Sequence, residues 1–138
     1  MASKTPDWAM QEAIFARLKE ELTDNVEVVD NMEISAYKNS LPFVLIGDDQ
    51  LVDVGIEECG EGFELTSRLR CHAAGPSRKA SKFLAQDVRD AMNKLEFTLT
   101  DWTVSNAQHV GSISEHFGDG LGHLVVVTWQ FEIYAKRN

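Results

Sequence analysis

Three of the four histidines are spaced by seven residues and are the side chains best suited to hold a metal ion: His109, His116 and His123. His116 and His123 flank the segment EHFGDGLG, so a β-hairpin there brings the two imidazoles together. Zinc requires three or four Cys, His or carboxylate ligands in tight geometry, and the chain has no HExxH motif. We therefore favour the plainer interpretation that these are surface loop histidines.

Cys71 and His72 are neighbours, and a thiol beside a base suggests an activated nucleophile. Adjacent residues of a strand, however, point to opposite faces. We therefore expect a buried Cys71 beside an exposed His72 and no catalytic pair. Cys59 and Cys71 lack the close spacing of a zinc knuckle. No apolar run follows Lys4 as in a secretory signal, so both cysteines are expected to remain thiols in a reducing cytoplasm.

Other catalytic patterns are missing from the sequence. It has no GxSxG, GxxxxGK or GxGxxG motif, and three alternating glycines, Gly118, Gly120 and Gly122, fall between two expected strands. The carboxylate pairs Asp48-Asp49 and Glu57-Glu58 have the chemistry for acid–base work or for a hard cation, but a solvated acidic surface is the simpler interpretation. We assign no catalytic, cofactor-binding or metal-binding residues.

The charges are strongly segregated along the chain. An acidic arm, within Asp48–Glu64, has no Lys or Arg; its carboxylates are Asp48, Asp49, Asp53, Glu57, Glu58, Glu61 and Glu64. A basic set within Arg68–Lys82 has no Asp or Glu; its members are Arg68, Arg70, Arg78, Lys79 and Lys82. The net charge of −9 argues against general affinity for nucleic acid. No apolar stretch approaches the length of a membrane span.

A strand and a helix in the middle of the chain must position these groups. Phe63–Cys71 alternates apolar and polar residues, which is typical of a half-buried strand. Gly75 and Pro76 favour a turn. From Pro76 to Leu95 the apolar residues recur at spacings of three and four, which predicts one inward helical stripe: Ala80, Phe83, Leu84, Val88, Ala91, Met92 and Leu95. We expect this unit to form the main core.

A second helix and further strands are expected to surround this unit. Thr5 is suited to cap a helix that Pro6 and Asp7 begin; its predicted inward residues are Trp8, Ile14, Phe15, Leu18 and Leu22. Asp48–Gly62 is expected to be an extended hairpin or loop, and Glu115–Gly122 a hairpin loop. Strands are predicted at Val26–Val29, Pro42–Gly47, Phe97–Ser105, Ala107–Ile113 and Val125–Ile133.

The order of these elements predicts an α+β fold, with a mainly antiparallel sheet packed against two helices. The length of 138 residues and the hydrophobic fraction of 43% fit one small domain with one core. We expect a single domain over residues 1–138, with residues 1–6 and 135–138 as flexible ends.

Four segments resemble one protein family in their order and spacing. They are an N-terminal amphipathic helix, LPFVLIG at Leu41–Gly47, RLRCHAAGPSRKASKFLAQDVRDAM at Arg68–Met92, and HLVVVTWQFEIY at His123–Tyr134 after a glycine-rich loop. From Trp8 to Tyr134 this pattern resembles the tail completion, or tail terminator, proteins of long-tailed bacteriophages and gene transfer agents.

This resemblance implies a structural, non-enzymatic virion protein without cofactors. Family members are thought to form a hexameric ring on the head-proximal end of the tail tube, which ends tube polymerisation and joins the head connector. The implied partners are further copies of the chain, the tail tube protein and a connector or stopper protein on the head side. DNA would pass through the ring without specific binding. The implied location is the tail or neck of the virion, and the host cytoplasm during assembly.

The charge segregation predicts a surface at which copies of the chain meet. We hypothesise that the acidic arm either lines the lumen of the ring or contacts the basic set of the neighbouring copy. Three other functions remain open at this point: a different head–tail joining protein of the neck, a small metal-dependent enzyme using His116, His123 and carboxylates, and a host-encoded ligand-binding α+β domain.

Overall fold

The computed structural model describes residues 5–22, 26–29, 42–57, 60–73, 79–94, 96–116 and 123–136, and all of their side chains except those of residues 48, 55–57, 60, 115 and 116. Its elements in chain order are the helix α1 (Asp7–Glu21), the strands β1 (Glu27–Val29), β2 (Phe43–Glu57) and β3 (Gly60–Ala73), the helix α2 (Lys79–Asn93), and the strands β4 (Trp102–His116) and β5 (His123–Ala135).

The five described strands form one sheet in the order β1-β2-β3-β5-β4. β1 runs parallel to β2, and the other neighbouring pairs are antiparallel. The predicted α+β fold, with a mainly antiparallel sheet packed against two helices, is confirmed. The extended hairpin predicted at Asp48–Gly62 is the distal half of β2 and β3, whose pairing continues out to Glu57 and Gly60.

Strand alternation divides the sheet into two faces. We call the face that α1 and α2 cover the helix face and the opposite one the far face. The odd-numbered residues of β5 lie on the helix face, and Val127, Trp129, Phe131 and Ile133 are fully buried in the main core. Their partners in β3 are Leu69, Ser67, Leu65 and Phe63. The predicted alternation of both strands is therefore confirmed.

The inward stripe of α1 is Met10, Ile14 and Leu18, whereas Trp8 is 57% exposed. The prediction of an inward Trp8 is wrong because residues two apart on a helix lie about 200° apart. Met10 and Trp8 therefore cannot face the core together. The predicted cap is also wrong: Thr5 Oγ1 donates to Asp7 Oδ1 at 2.7 Å, and no described side chain accepts a hydrogen bond from the free N–H groups at the start of α1.

The inward stripe of α2 contains Leu84, Val88, Ala91 and Met92 as predicted, but its first turn differs. Its buried members are Ser81, Leu84, Ala85, Val88, Ala91 and Met92. Ala80 is exposed and Phe83 is 53% exposed, so the inward placement of both is wrong. The ammonium of Lys79 lies 5.5 Å from the centre of the Phe83 ring, which keeps that aromatic side chain beside a cation at the surface. Leu95 lies outside the described residues.

Arg17 of α1 joins the two helices by capping the last turn of α2. Its guanidinium donates to the carbonyl oxygens of Ala91 at 3.1 Å, Met92 at 3.4 Å and Glu96 at 3.4 Å. It also stacks 4.0 Å above the ring of Phe97. A cation at the carboxyl end of a helix satisfies its unpaired carbonyls and complements its dipole. This contact fixes where the chain leaves α2 towards β4.

The two strands predicted at Phe97–Ser105 and Ala107–Ile113 are one long strand, β4. Phe97 and Leu99 are buried but precede it. Two bulges, between Val104 and Asn106 and between His109 and Gly111, interrupt its register with β5. Each bulge inserts an extra residue without ending the pairing.

Among the described helices, neither is both long and apolar enough to cross a membrane.

Candidate subunit interface

The described part of the acidic arm lies on the β2–β3 hairpin. Asp49, Asp53 and Glu61 are exposed. Glu64 is half-buried on the far face, where Gln130 Nε2 donates to its Oε1 at 2.7 Å. The side chains of Asp48 and Glu57, and the whole of Glu58, lie outside the described residues. The hairpin therefore presents several carboxylates at the surface, as the arm hypothesis requires.

The basic set is divided between the two sides of the sheet. Arg68, exposed, and Arg70, half-buried, belong to the far face of β3, where their partners across β2 are Gly47 and Leu45. Lys79 and Lys82 are exposed at the beginning of α2, in the helical layer. Arg78 lies outside the described residues. The fold therefore does not join these cations into one patch, and the arginines and lysines must be tested separately.

The far face also carries a row of polar side chains across three strands. Gln108 of β4 donates to Gln130 of β5 at 3.4 Å, and Gln130 donates to Glu64 of β3. Side-chain bonds of this kind couple neighbouring strands. This half of the far face is polar and solvated.

The other half of the far face contains a small buried cluster that includes His72. Phe43 stacks on His72 with ring centroids 4.4 Å apart, and Leu124 is the partner of His72 across β5. All three residues are buried, His72 with 1% exposure. The expectation of an exposed His72 is therefore wrong: Cys71 and His72 do point to opposite faces, but both faces are covered at this position.

The chemistry of Cys71 and His72 does not favour nucleophilic catalysis. Burial raises the pKa of the Cys71 thiol to about 12, so the thiol stays protonated at neutral pH. Burial, and to a smaller extent the charge of Arg70, lower the pKa of His72 to about 4. His72 is therefore neutral in the folded protein at neutral pH.

We expect His72 to make the fold less stable in mild acid. The unfolded chain binds a proton at His72 near its ordinary pKa of 6.5, whereas the folded chain does so near 4. The free energy of unfolding should therefore fall between pH 6.5 and 4, by about 2–3 kcal/mol, and level off below. Urea unfolding of wild type and His72→Phe over this range measures the difference. Parallel pH profiles for the two proteins would contradict the assignment.

The structure places the other histidines on strands and not on a loop, which corrects the surface-loop interpretation. His116 and His123 are opposite each other in the β4–β5 register, whereas His109 pairs with Trp129. Seven residues along a strand span about 23 Å, so the third histidine is remote from the other two. Within the described residues, no group of three or more His, Cys, Asp or Glu side chains is placed to hold a metal ion.

Two shallow grooves lie on the helical side of the molecule. One of about 490 Å³ runs between the two helices, with walls formed by Glu21, Asp87, Asp90 and Lys94. Lys94 Nζ contacts Glu21 Oε2 there at 2.7 Å. The other, of about 250 Å³, lies between the end of α2 and β4 and includes Phe97. Both are open to solvent and do not converge on the reactive side chains considered above.

The outer strand of the sheet, β4, was not predictable from the sequence as a single exposed edge. Val110 and Ile113 of β4 are 55% and 63% exposed, although such side chains are usually buried. The signal in the sequence was the composition of Trp102–His116, fifteen residues without Lys, Arg or Pro. Because the segment looked like two short strands, this absence did not stand out.

Comparison with known proteins finds one family that matches almost the whole chain. The family model of the tail completion protein gp17 matches residues 12–135. A chain from the virion of a native gene transfer agent particle is similar in structure, with a TM-score of 0.76, 13% identity and coverage of 95% of this chain and 98% of that one. The gp17 protein of bacteriophage SPP1 has a TM-score of 0.57, 16% identity and coverage of 94% and 95%. No curated protein matches the sequence.

Proposed function

Because the chain belongs to the tail completion protein family, and is thus a structural component of phage or gene transfer agent virions, we propose that it caps the head-proximal end of the tail tube. In this role copies of the chain form a homohexameric ring. The ring ends polymerisation of the tube and forms the joint to the connector on the head side. Its partners are the tail tube protein, a connector or stopper protein, and other copies of itself.

The observation that carries the proposal is the match of the family model to residues 12–135. A terminator must bind the end of the tube without presenting that same surface for further addition. Such a role needs a rigid fold with several contact surfaces and no reaction chemistry, and we propose that the chain is not an enzyme. The net charge of −9 supports passage of DNA through the lumen, since an acidic wall repels phosphates.

The acidic arm has two possible places in such a ring. If its exposed carboxylates, among them Asp49 and Asp53, line the lumen, they keep DNA from adhering to the wall. If they face the neighbouring copy, they pair with its exposed cations, Lys79 and Lys82 on α2 or Arg68 on β3. We favour contact with the neighbour, because opposite charges on two surfaces of one chain suit a head-to-tail ring.

Growth of purified tail tubes tests the capping function. Adding the chain to polymerising tube protein should stop growth, shorten the tubes and leave extra density at one end of each. Heat-denatured chain at the same concentration is the control. Unchanged tube length, with no chain bound to tube ends, would contradict the proposal. Binding to the connector alone would indicate the alternative role of another neck protein.

A further inference from the structure

The outermost strand of the sheet, β4, has an open edge. β4 is last in the strand order and pairs only with β5 in the part of the chain that the structure describes. It is fifteen residues long, which is long for an edge strand. An open edge presents backbone N–H and C=O groups that can pair with another strand.

This edge lacks most of the devices by which proteins prevent such pairing. The strand contains no Lys, Arg or Pro, and Glu115 is its one acidic residue. Val110 and Ile113 are exposed along it. Its two bulges twist the strand, but pairing with β5 resumes after each of them. A long, nearly neutral and partly apolar edge is expected to be covered in the assembled state.

Among the described strands, β2 has a second open edge of the same sheet. β1 pairs with β2 only from Phe43 to Leu45. From Ile46 to Glu57, no described strand lies on that side of β2. This leaves twelve residues of edge, close to the length of β4. The described part of one chain therefore has two different edges of similar length, as a head-to-tail contact requires.

The directions of the strands favour a ring. β2, β3, β5 and β4 follow one another antiparallel, so β4 runs opposite to β2. A rotation about an axis parallel to the strands preserves their directions. The β4 of one copy then meets the β2 of the next in antiparallel pairing. Two β4 edges related by a two-fold axis would instead close into a dimer and stop.

The side chains of the two edges are compatible. Asp53 of β2 and Ser112 of β4 are both exposed, and both belong to the helix face, as the partners of Phe63 and Val127. Carboxylates would therefore meet hydrogen-bond donors and not other carboxylates. The apolar residues match as well, since Val52 and Val54 of β2 are each 42% exposed. We propose that β4 of one copy adds to the free edge of β2 in a second copy and so extends the sheet around the ring.

This inference rests on the proposed ring and adds a backbone contact to the side-chain charges considered above. Charged residues on the edge should remove the contact while leaving each copy folded. The test variant is Val110→Lys/Ile113→Lys, mixed with tail tubes from particles that lack this chain. Native mass spectrometry should detect about tenfold less ring for this variant than for wild type. The matched control, Trp8→Lys/Ala16→Lys, places the same two charges at exposed apolar residues of α1 and should stay within about twofold of wild type.

Cross-linking of two mixed populations identifies the pair of edges. One population carries Ile113→Cys on β4 and the other Val52→Cys on β2, both in a Cys59→Ser background. Both positions are exposed and lie on the far face of their strands. Disulfides that join the two populations support the proposal. Disulfides within the β4 population alone would overturn it in favour of a two-fold dimer. A ring that forms without cross-links and tolerates the lysine variants would overturn the edge contact but leave the ring in place, whereas tubes that never acquire a ring would overturn both.

Discussion

Replacing Trp129 by alanine should lower the free energy of unfolding by about 3–5 kcal/mol, the usual cost of removing a large buried aromatic side chain. Trp129 is fully buried on the helix face, with its ring centroid 6.4 Å from that of Phe131 and 5.9 Å from that of His109. No described atom accepts a hydrogen bond from its indole N–H. Trp129→Phe should therefore cost less than about 1.5 kcal/mol, since it keeps an aromatic ring and removes the unpaired donor.

The matched control for this prediction is Trp8→Ala, which removes the same side chain from a position that is 57% exposed. We expect a change within about 0.5 kcal/mol. Urea unfolding followed by circular dichroism, at concentrations where the chain is monomeric, measures all three variants. Equal losses for Trp129→Ala and Trp8→Ala would contradict the assignment of Trp129 to the core.

Charge reversal of Lys79 and Lys82 should strongly reduce ring formation if the acidic arm contacts the neighbouring copy. Lys79→Glu/Lys82→Glu places carboxylates opposite carboxylates, and like charges across an interface cost several kcal/mol. Both lysines are exposed, so folding should be unaffected. By native mass spectrometry on capped tubes, the amount of ring at moderate salt should be at least about tenfold lower than for wild type. It should recover in part at high salt, which screens the repulsion.

Two further variants separate this contact from a general effect of charge. Lys19→Glu/Lys136→Glu makes the same change in net charge at two exposed lysines outside the candidate interface and should leave the ring intact. Adding Asp49→Lys/Asp53→Lys to the reversed lysines should restore assembly. If neither Lys79→Glu/Lys82→Glu nor Arg68→Glu/Arg70→Glu changes the oligomer distribution, the acidic arm does not contact the neighbouring copy. Lining of the lumen would then be its role.

The elements that the sequence predicted well are those with one buried face and strong alternation. β5 has apolar residues at every odd position from Val125 to Ile133, and all of them are buried. β1 was also predicted as a short strand, and the start of β2 as a strand covered on both faces, because its apolar run is continuous. In these elements, the residues that the local pattern predicts to be inward are the ones that tertiary packing buries.

The elements that the sequence predicted poorly are those in which several faces carry apolar residues. Both helices have aromatic residues outside the inward stripe, Trp8 on α1 and Phe83 on α2, and periodicity alone could not decide which stripe packs on the sheet. β4 was predicted as two strands that meet at Asn106, because its alternation of apolar and polar residues is weak and a bulge interrupts it there. The burial of His72 depends on Phe43, which is distant in sequence.

The candidate interface was predictable as a pattern of charge but not as a surface. Segregation into an acidic arm and a basic set is visible in the sequence. In the structure, Arg68 and Arg70 lie on the far face, whereas Lys79 and Lys82 lie in the helical layer. This division depends on which face the even-numbered residues of β3 occupy and on the packing of α2 against the helix face. The open edges of β2 and β4 follow from strand order, which the sequence does not specify.

Electron cryomicroscopy of intact particles can locate the chain in the virion. We predict a hexameric ring of this chain between the last layer of the tail tube and the head connector, in contact with both. Density for the chain at the distal end of the tail, or in a layer of the neck that does not touch the tube, would contradict it.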